Sequence, residues 1–143
     1  MARSSDNGHR TVRLIIPAKA EYITLCRLAL TGLSRLRPFP AEVLADLKLA
    51  ITEAASNSVR HAYPDDSRGF VDVSYELHGD HLAIEVADNG SGFDPEADDG
   101  DDADGLSEGG LGIAIIRAIA DEFEIGARSD GTGSRLRFVK VLA

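Results

Sequence analysis

Two neighbouring segments of this chain alternate between apolar and polar residues and are joined by a short polar turn. In residues 70–77 (FVDVSYEL) and again in residues 82–88 (LAIEVAD), alternate side chains are apolar. A period of two is typical of a strand that buries one face. The polar residues 78–81 (HGDH) predict a hairpin turn between the two strands. The chain must therefore build an antiparallel sheet whose apolar face is covered by something else.

Helices predicted from the periodicity of other segments can cover this face. Further strands are predicted at residues 10–16, 123–128 and 134–141, and helices at residues 18–36, 41–62 and 109–121. The order β-α-α-β-β-α-β-β predicts an α+β fold, a two-layer sandwich in which helices cover one face of a mixed, mostly antiparallel sheet. The apolar face expected for the first helix consists of Tyr22, Leu25, Leu28, Leu33 and Leu36, and that of the third consists of Leu111, Ile115, Ile116 and Ile119.

Length and composition indicate a single domain. The 143 residues are 43% hydrophobic, and we expect a flexible tail at residues 1–9 followed by one domain at residues 10–143. One cysteine, Cys26, cannot form an internal disulfide and is expected to be a small buried residue. No apolar run reaches the ~20 residues of a membrane helix, and the first ten residues do not resemble a secretory signal. A cytoplasmic protein without membrane contact is expected.

The charge distribution limits the possible ligands. The net charge is −9, which argues against direct nucleic-acid binding, and residues 69–116 contain no Lys or Arg. An anionic ligand bound there must rely on backbone N–H groups, helix ends or a metal ion. The acidic residues 94–108 do not fit the register of a calcium loop and are expected to form a solvated, mobile flap.

Three polar residues stand next to predicted buried faces. Glu53 and Asn57 lie one helical turn apart at the edge of the apolar arc of the second helix, so they could converge on one ligand or form a solvated helix edge. Asp88 is in phase with the buried side chains of its strand, where a carboxylate needs donors. It could also cap the turn that follows.

Glycines cluster in three places in the second half of the chain. They are found in residues 89–92 (NGSG), in residues 109–112 (GGLG) at the start of the third helix, and in residues 131–133 (GTG). Glycine permits close backbone approach, and a helix N-terminus favours anions. The spacing does not match the P-loop or the Rossmann fingerprint.

In this order and spacing, the motifs resemble the GHKL (Bergerat-fold) ATP-binding superfamily. The segments TEAASNSVRHAYP, VADNGSGFDP and EGGLGIAIIRAIADEFEI are similar to those of bacterial anti-sigma-factor serine/threonine protein kinases. The resemblance spans about residues 12–141. It implies ATP and Mg²⁺ as cofactors, a sigma factor and an anti-anti-sigma (STAS-type) protein as partners, and a homodimer. It also implies that residues 94–108 form an ATP lid.

The resemblance assigns roles to individual residues. Glu53 matches the general base that deprotonates a substrate serine, Asn57 the Mg²⁺ ligand, and Arg27 an arginine that contacts partners. Asp88 matches the acceptor for the adenine amino group. The remaining nucleotide-binding residues implied are Gly90, Gly92, Gly110, Leu111, Gly112 and Thr132. Of these, Gly92 lets the backbone approach the adenine ring, Gly110 and Gly112 offer amides to the phosphates, and Thr132 lies near the adenine.

One departure from the family pattern leaves alternatives open. A sporulation-type relative has basic residues just before the G-x-G, where this chain has the acidic residues 94–108. The alternative is therefore a nucleotide-dependent binding module with little or no kinase activity. A histidine-kinase catalytic domain is a third hypothesis, which would require the chain to be a fragment without the helical phosphoacceptor domain.

Overall fold

The computed structural model describes residues 10–61, 69–89, 108–127 and 133–142. Strands and helices follow in the predicted order, with a one-turn 3-10 helix at Ala20–Tyr22 before the first α-helix. The elements are β1 (Arg10–Pro17), α1 (Ile23–Leu36), α2 (Ala41–His61), β2 (Phe70–Leu77), β3 (His81–Asp88), α3 (Glu108–Ile119), β4 (Glu122–Ala127) and β5 (Ser134–Val141).

The strands form one sheet in the order β1-β2-β3-β5-β4, and every pairing between described strands is antiparallel. The register places Tyr75 of β2 opposite Val12 of β1 and Ile84 of β3. Alternate residues therefore share one face across the sheet, and this face carries the core. The predicted two-layer α+β architecture is confirmed.

Helix α2 lies over the middle of the sheet and supplies much of the core. Its buried apolar residues are Leu47, Ala50, Ile51, Ala54 and Ala55, which belong to the apolar arc expected from the sequence. Three of these five are alanines, and small side chains let the helix axis approach the strands closely. Close packing in turn fixes the position of every polar side chain at the edge of this arc.

Helix α1 is rotated relative to the sequence-based expectation. It buries Ile23, Cys26, Leu30 and Leu33, whereas Leu25, Leu28 and Leu36 are exposed, Leu28 by 58%. The predicted face was therefore wrong except at Leu33. Both faces of this helix carry apolar residues at helical spacing, so periodicity could not decide between them.

A hydrogen bond between α1 and the sheet marks the face that is buried. The hydroxyl of Tyr75 donates to the carbonyl oxygen of Cys26 at 2.8 Å, and both residues are fully buried. Burial raises the pKa of Tyr75 and also that of the Cys26 thiol. The expectation that Cys26 is a small buried residue is confirmed.

The third helix and the strand after it differ slightly from the prediction. Helix α3 ends at Ile119 rather than at residue 121, because the Asp121 amide donates to Val139 and its carboxylate accepts from Val141. Leu111, predicted inside, is 54% exposed in the first turns of α3, whereas Ile116 is buried.

The face of the sheet opposite the helices carries ion pairs. Arg13 donates to Asp72, and Arg135 pairs with both Glu85 and Glu124. Among the described residues, no helix is long and apolar enough to cross a membrane.

Candidate functional site

The edge of α2 that faces α3 carries the two polar residues singled out from the sequence. Glu53 is half-buried and Asn57 is 7% exposed, one helical turn further along. They follow Ala50 and Ala54 around the helix, at the border of the buried arc. The sequence therefore places a carboxylate and an amide at the rim of the core, where each is partly shielded from water.

Asn57 has an unsatisfied buried oxygen. Its Oδ1 atom is the one buried side-chain nitrogen or oxygen without a hydrogen-bond partner in the described part of the chain. Leaving a buried acceptor unpaired costs about 1–3 kcal/mol. An acceptor kept in this state suits a ligand that supplies a donor or a cation.

Glu53 lies against the start of α3. A Cβ atom placed on Gly112 would be 2.8 Å from Glu53 Oε1, so the carboxylate occupies the space that a side chain at position 112 would need. Gly110 and Leu111 belong to the same helical segment, two residues and one residue before Gly112. The structure thus brings together Glu53 and Gly112, which lie 59 residues apart in the sequence.

Asp88 forms a second buried polar position at the end of β3. It is fully buried, as its phase predicted, and its Oδ2 accepts a 2.6 Å hydrogen bond from the Ser134 hydroxyl. Asn89, the next residue, accepts from the Phe70 amide at 2.9 Å and so fixes the strand end to the start of β2. Ser134 therefore holds the carboxylate from the β5 side, and Asn89 ties the end of β3 to β2.

Gly133, the residue before β5, lies against Asp88. Gly133 has φ of +72°, and a Cβ atom there would be 1.8 Å from the Asp88 carbonyl oxygen. Glycine is needed both for the left-handed backbone and for the close approach. The sequence had identified this turn but had nominated Thr132, which lies outside the described residues, as do Gly90, Gly92 and nearly all of the predicted lid at residues 94–108.

Comparison with known proteins shows the family. The model for the histidine kinase-like ATPase domain matches residues 16–140. The serine-protein kinase RsbW of Listeria monocytogenes is 38% identical over 125 residues, covering 82% of this chain and 80% of the relative. RsbW of Staphylococcus epidermidis is 33% identical over 138 residues, with 90% and 87% covered.

The chain belongs to the RsbW family of serine-protein kinases.

Solved structures agree on the fold of this RsbW-family chain. The crystal structure of the RsbU and RsbW domains of Rv1364c from Mycobacterium tuberculosis matches with a TM-score of 0.68 at 20% identity, covering 92% of this chain and 32% of that one. A histidine kinase domain from Erythrobacter litoralis matches with a TM-score of 0.58 at 21% identity, covering 88% and 61%. The family match and the RsbW relatives confirm the resemblance drawn from the sequence motifs.

Ser134 is the site residue of this RsbW-family chain that sequence reasoning missed. A signal was present, because Ser134 is polar yet in phase with Leu136 and Phe138, which are buried in β5. Its partner could not be found without the pairing of β3 with β5. Arg27 is half-buried on α1, and no hydrogen bond or ion pair joins it to another described residue.

Proposed function

We propose that the protein is an ATP-dependent serine/threonine protein kinase and anti-sigma factor, which binds a sigma factor and phosphorylates a STAS-type anti-anti-sigma protein. The observation that carries the proposal is the unpaired buried oxygen of Asn57 one turn from Glu53. Family membership supports the same reaction, since the relatives are serine-protein kinases. The proposed location is the cytoplasm.

Glu53 is the proposed general base. No hydrogen bond or ion pair joins its carboxylate to another side chain in the described ranges, so a substrate hydroxyl meets no competing donor from them. The carboxylate would take the proton of the substrate serine as its oxygen attacks the γ-phosphorus of ATP, and ADP would leave. Phosphoryl transfer depends mainly on positioning and charge stabilisation, so few catalytic side chains are required.

The residues present fit Mg²⁺. This ion prefers oxygen ligands and is commonly bound by one or two protein groups together with substrate phosphates. The described residues contain no group of three or more His, Cys, Asp or Glu, and Asn57 Oδ1 is an oxygen available to such an ion. Asn57 would hold Mg²⁺, which when bound neutralises charge on the phosphates.

The adenine end of ATP is assigned to Asp88. The Ser134 hydroxyl fixes one carboxylate oxygen and thereby the plane of the carboxyl group, which suits recognition of an amino group by geometry. Gly133 brings the backbone close to the same strand end. The first turns of α3, with Gly110, Leu111 and Gly112, are the proposed phosphate contacts, since helix N-termini bind anions.

The outward face of α1 is the proposed dimer contact. Tyr22, Leu25, Leu28 and Leu36 form an exposed apolar stripe, and α1 contains no acidic residue. Strand β1 is one edge of the sheet, and among the described residues no further strand pairs with it, which favours pairing with another chain. A second copy supplies the same apolar stripe and the same edge, so the proposed occupant is this chain itself. Arg27 is proposed to contact the sigma factor or its antagonist.

Calorimetric titration with ATP, with and without Mg²⁺, tests the proposal. The wild type should bind more tightly with Mg²⁺, and Asn57→Ala should lose this Mg²⁺ dependence, whereas Ser56→Ala should keep it. Equal Mg²⁺ dependence in Asn57→Ala and wild type would overturn the assignment of Asn57. Nucleotide-dependent partner binding without any phosphate incorporation would favour the binding-module alternative, which the acidic residues 94–108 motivate.

A further inference from the structure

The side chain of Glu53 lies across Gly112. The three atoms nearest to a Cβ placed on Gly112 all belong to Glu53, namely Oε1 at 2.8 Å, Cβ at 3.7 Å and Cδ at 3.8 Å. A real Cβ atom essentially never approaches another heavy atom to 2.8 Å. Any side chain at position 112 would therefore displace the carboxylate of Glu53.

The backbone of α3 does not itself require glycine at this position. Gly112 is buried inside the helix, and the positive φ among the described glycines belongs to Gly133. Glycine in a helix interior is unfavourable by about 1 kcal/mol relative to alanine. Gly112 therefore destabilises its own helix. In return, the absence of a side chain leaves space that Glu53 occupies.

Packing rather than hydrogen bonding restrains the carboxylate. In the ranges that the structure describes, no donor or cation holds Glu53, in contrast to Asp88, which Ser134 holds. A long side chain without such partners retains rotamer freedom unless neighbouring atoms limit it. The carboxylate lies beside Gly112, with Oε1 2.8 Å from the position that a Cβ atom there would take.

We propose that Gly112 is a positioning residue for Glu53. Because position 112 has no side chain, the carboxylate of Glu53 can lie against α3 and keep its position relative to Asn57. The inference rests on the proposed function, in which Glu53 is the base. It differs from a role for Gly112 in offering its amide to phosphate, because it predicts a defect in transfer rather than in nucleotide affinity.

Four variants separate these roles: Gly112→Ala, Glu53→Asp, the double variant, and Gly126→Ala as control, since a Cβ at Gly126 meets nothing within 4 Å. Each is assayed with ATP and the purified STAS-domain proteins of the source genome, together with ATP affinity by calorimetry and thermal unfolding. Gly112→Ala should lower kcat by ~10- to 100-fold, the loss expected for a displacement of about 1 Å. Its Kd for ATP should stay within about 3-fold of wild type, because no binding contact is removed.

The double variant supplies the sharpest test. Aspartate is one methylene shorter and withdraws from the new methyl group, so Gly112→Ala should cost less than ~3-fold in the Glu53→Asp background. A wild-type kcat in Gly112→Ala, or fully multiplicative losses in the double variant, would overturn the inference. So would a loss confined to ATP affinity.

The inference and the proposed function fail in different ways. An inactive Glu53→Gln with a fully active Gly112→Ala would remove only the inference. A fully active Glu53→Gln would remove Glu53 as the base, whatever Gly112→Ala does. Thermal unfolding tests whether misfolding is the cause. Gly112→Ala should leave the melting temperature of the protein unchanged or raise it, because alanine is favoured over glycine in a helix.

Discussion

The Ser134 hydroxyl donates a 2.6 Å hydrogen bond to Oδ2 of Asp88, joining the end of β3 to the start of β5. Both residues are buried, Asp88 completely. A hydrogen bond to a buried carboxylate is stronger than one between neutral groups, and it restricts the carboxyl rotamer. The orientation of Asp88 is therefore built into the pairing of these two strands.

Removing this hydroxyl should weaken nucleotide binding. Ser134→Ala is expected to raise the Kd for ADP by ~3- to 10-fold. Without the hydroxyl, Asp88 is no longer held in orientation, and about 1 kcal/mol of binding free energy is lost. Ser134→Thr keeps a hydroxyl and should bind within ~2-fold of wild type by the same reasoning. Calorimetric titration with ADP measures both. An unchanged Kd in Ser134→Ala would show that Asp88 is not oriented by this bond.

Gly133 should tolerate no side chain. A Cβ atom at this position would be 1.8 Å from the Asp88 carbonyl oxygen, and φ is +72°. Gly133→Ala is expected to destabilise the fold by more than the ~1–3 kcal/mol of the backbone conformation alone. Gly79→Ala, where a Cβ meets nothing within 4 Å, is the matched control. The urea midpoints of the two variants should differ clearly, and equal midpoints would contradict the described conformation of Gly133.

The bond from Tyr75 to Cys26 predicts a pH-dependent stability. Burial raises the folded-state pKa of Tyr75, whereas an unfolded tyrosine has a pKa of about 10. A raised pKa means that the contribution of the neutral phenol is fully present below about pH 10 and is lost as the pH rises further.

At pH 8, the free energy of unfolding of Tyr75→Phe should therefore be about 1 kcal/mol lower than that of wild type, because the hydrogen bond is missing. Above pH 10, Tyr75→Phe should lose less stability than wild type, because it has no phenol to ionise. Tyr22→Phe, at an exposed position, is the control and should follow the wild type at both pH values. Urea unfolding at the two pH values provides the comparison. Parallel pH profiles for Tyr75→Phe and wild type would disprove the linkage.

The apolar stripe on α1 predicts self-association. Leu28→Asp should shift the protein from dimer to monomer in sedimentation experiments, because a charge at a 58% exposed apolar contact must be desolvated on pairing. Leu49→Asp on α2 is the matched control, since Leu49 is 46% exposed and lies outside the stripe. If both variants keep the wild-type mass, α1 is not the dimer contact.

Some of this structure follows directly from the sequence. The strands β2 and β3 were predicted because a period of two fixes both their extent and their buried face, including Asp88. The buried face of α1 could not be predicted in this way, because leucines occupy both faces of the helix. The choice depends on the contact between Cys26 and Tyr75, which are 49 residues apart.

The candidate site divides in the same way. The positions of Glu53 and Asn57 follow from helical spacing within α2. The contact of Glu53 with Gly112 depends on the packing of α2 against α3, and the bond between Ser134 and Asp88 depends on strand pairing. Local patterns cannot reveal such contacts because they join distant parts of the chain.

Phosphate transfer from ATP to the STAS-domain proteins of the source genome, by wild type and Glu53→Gln, is the most direct measurement of the proposed function. Wild type should phosphorylate one of them on serine or threonine. Glu53→Gln should transfer ~10²- to 10⁴-fold more slowly, the usual contribution of a general base, while binding ATP with an affinity within about 3-fold of wild type. Transfer by Glu53→Gln at the wild-type rate would contradict the account.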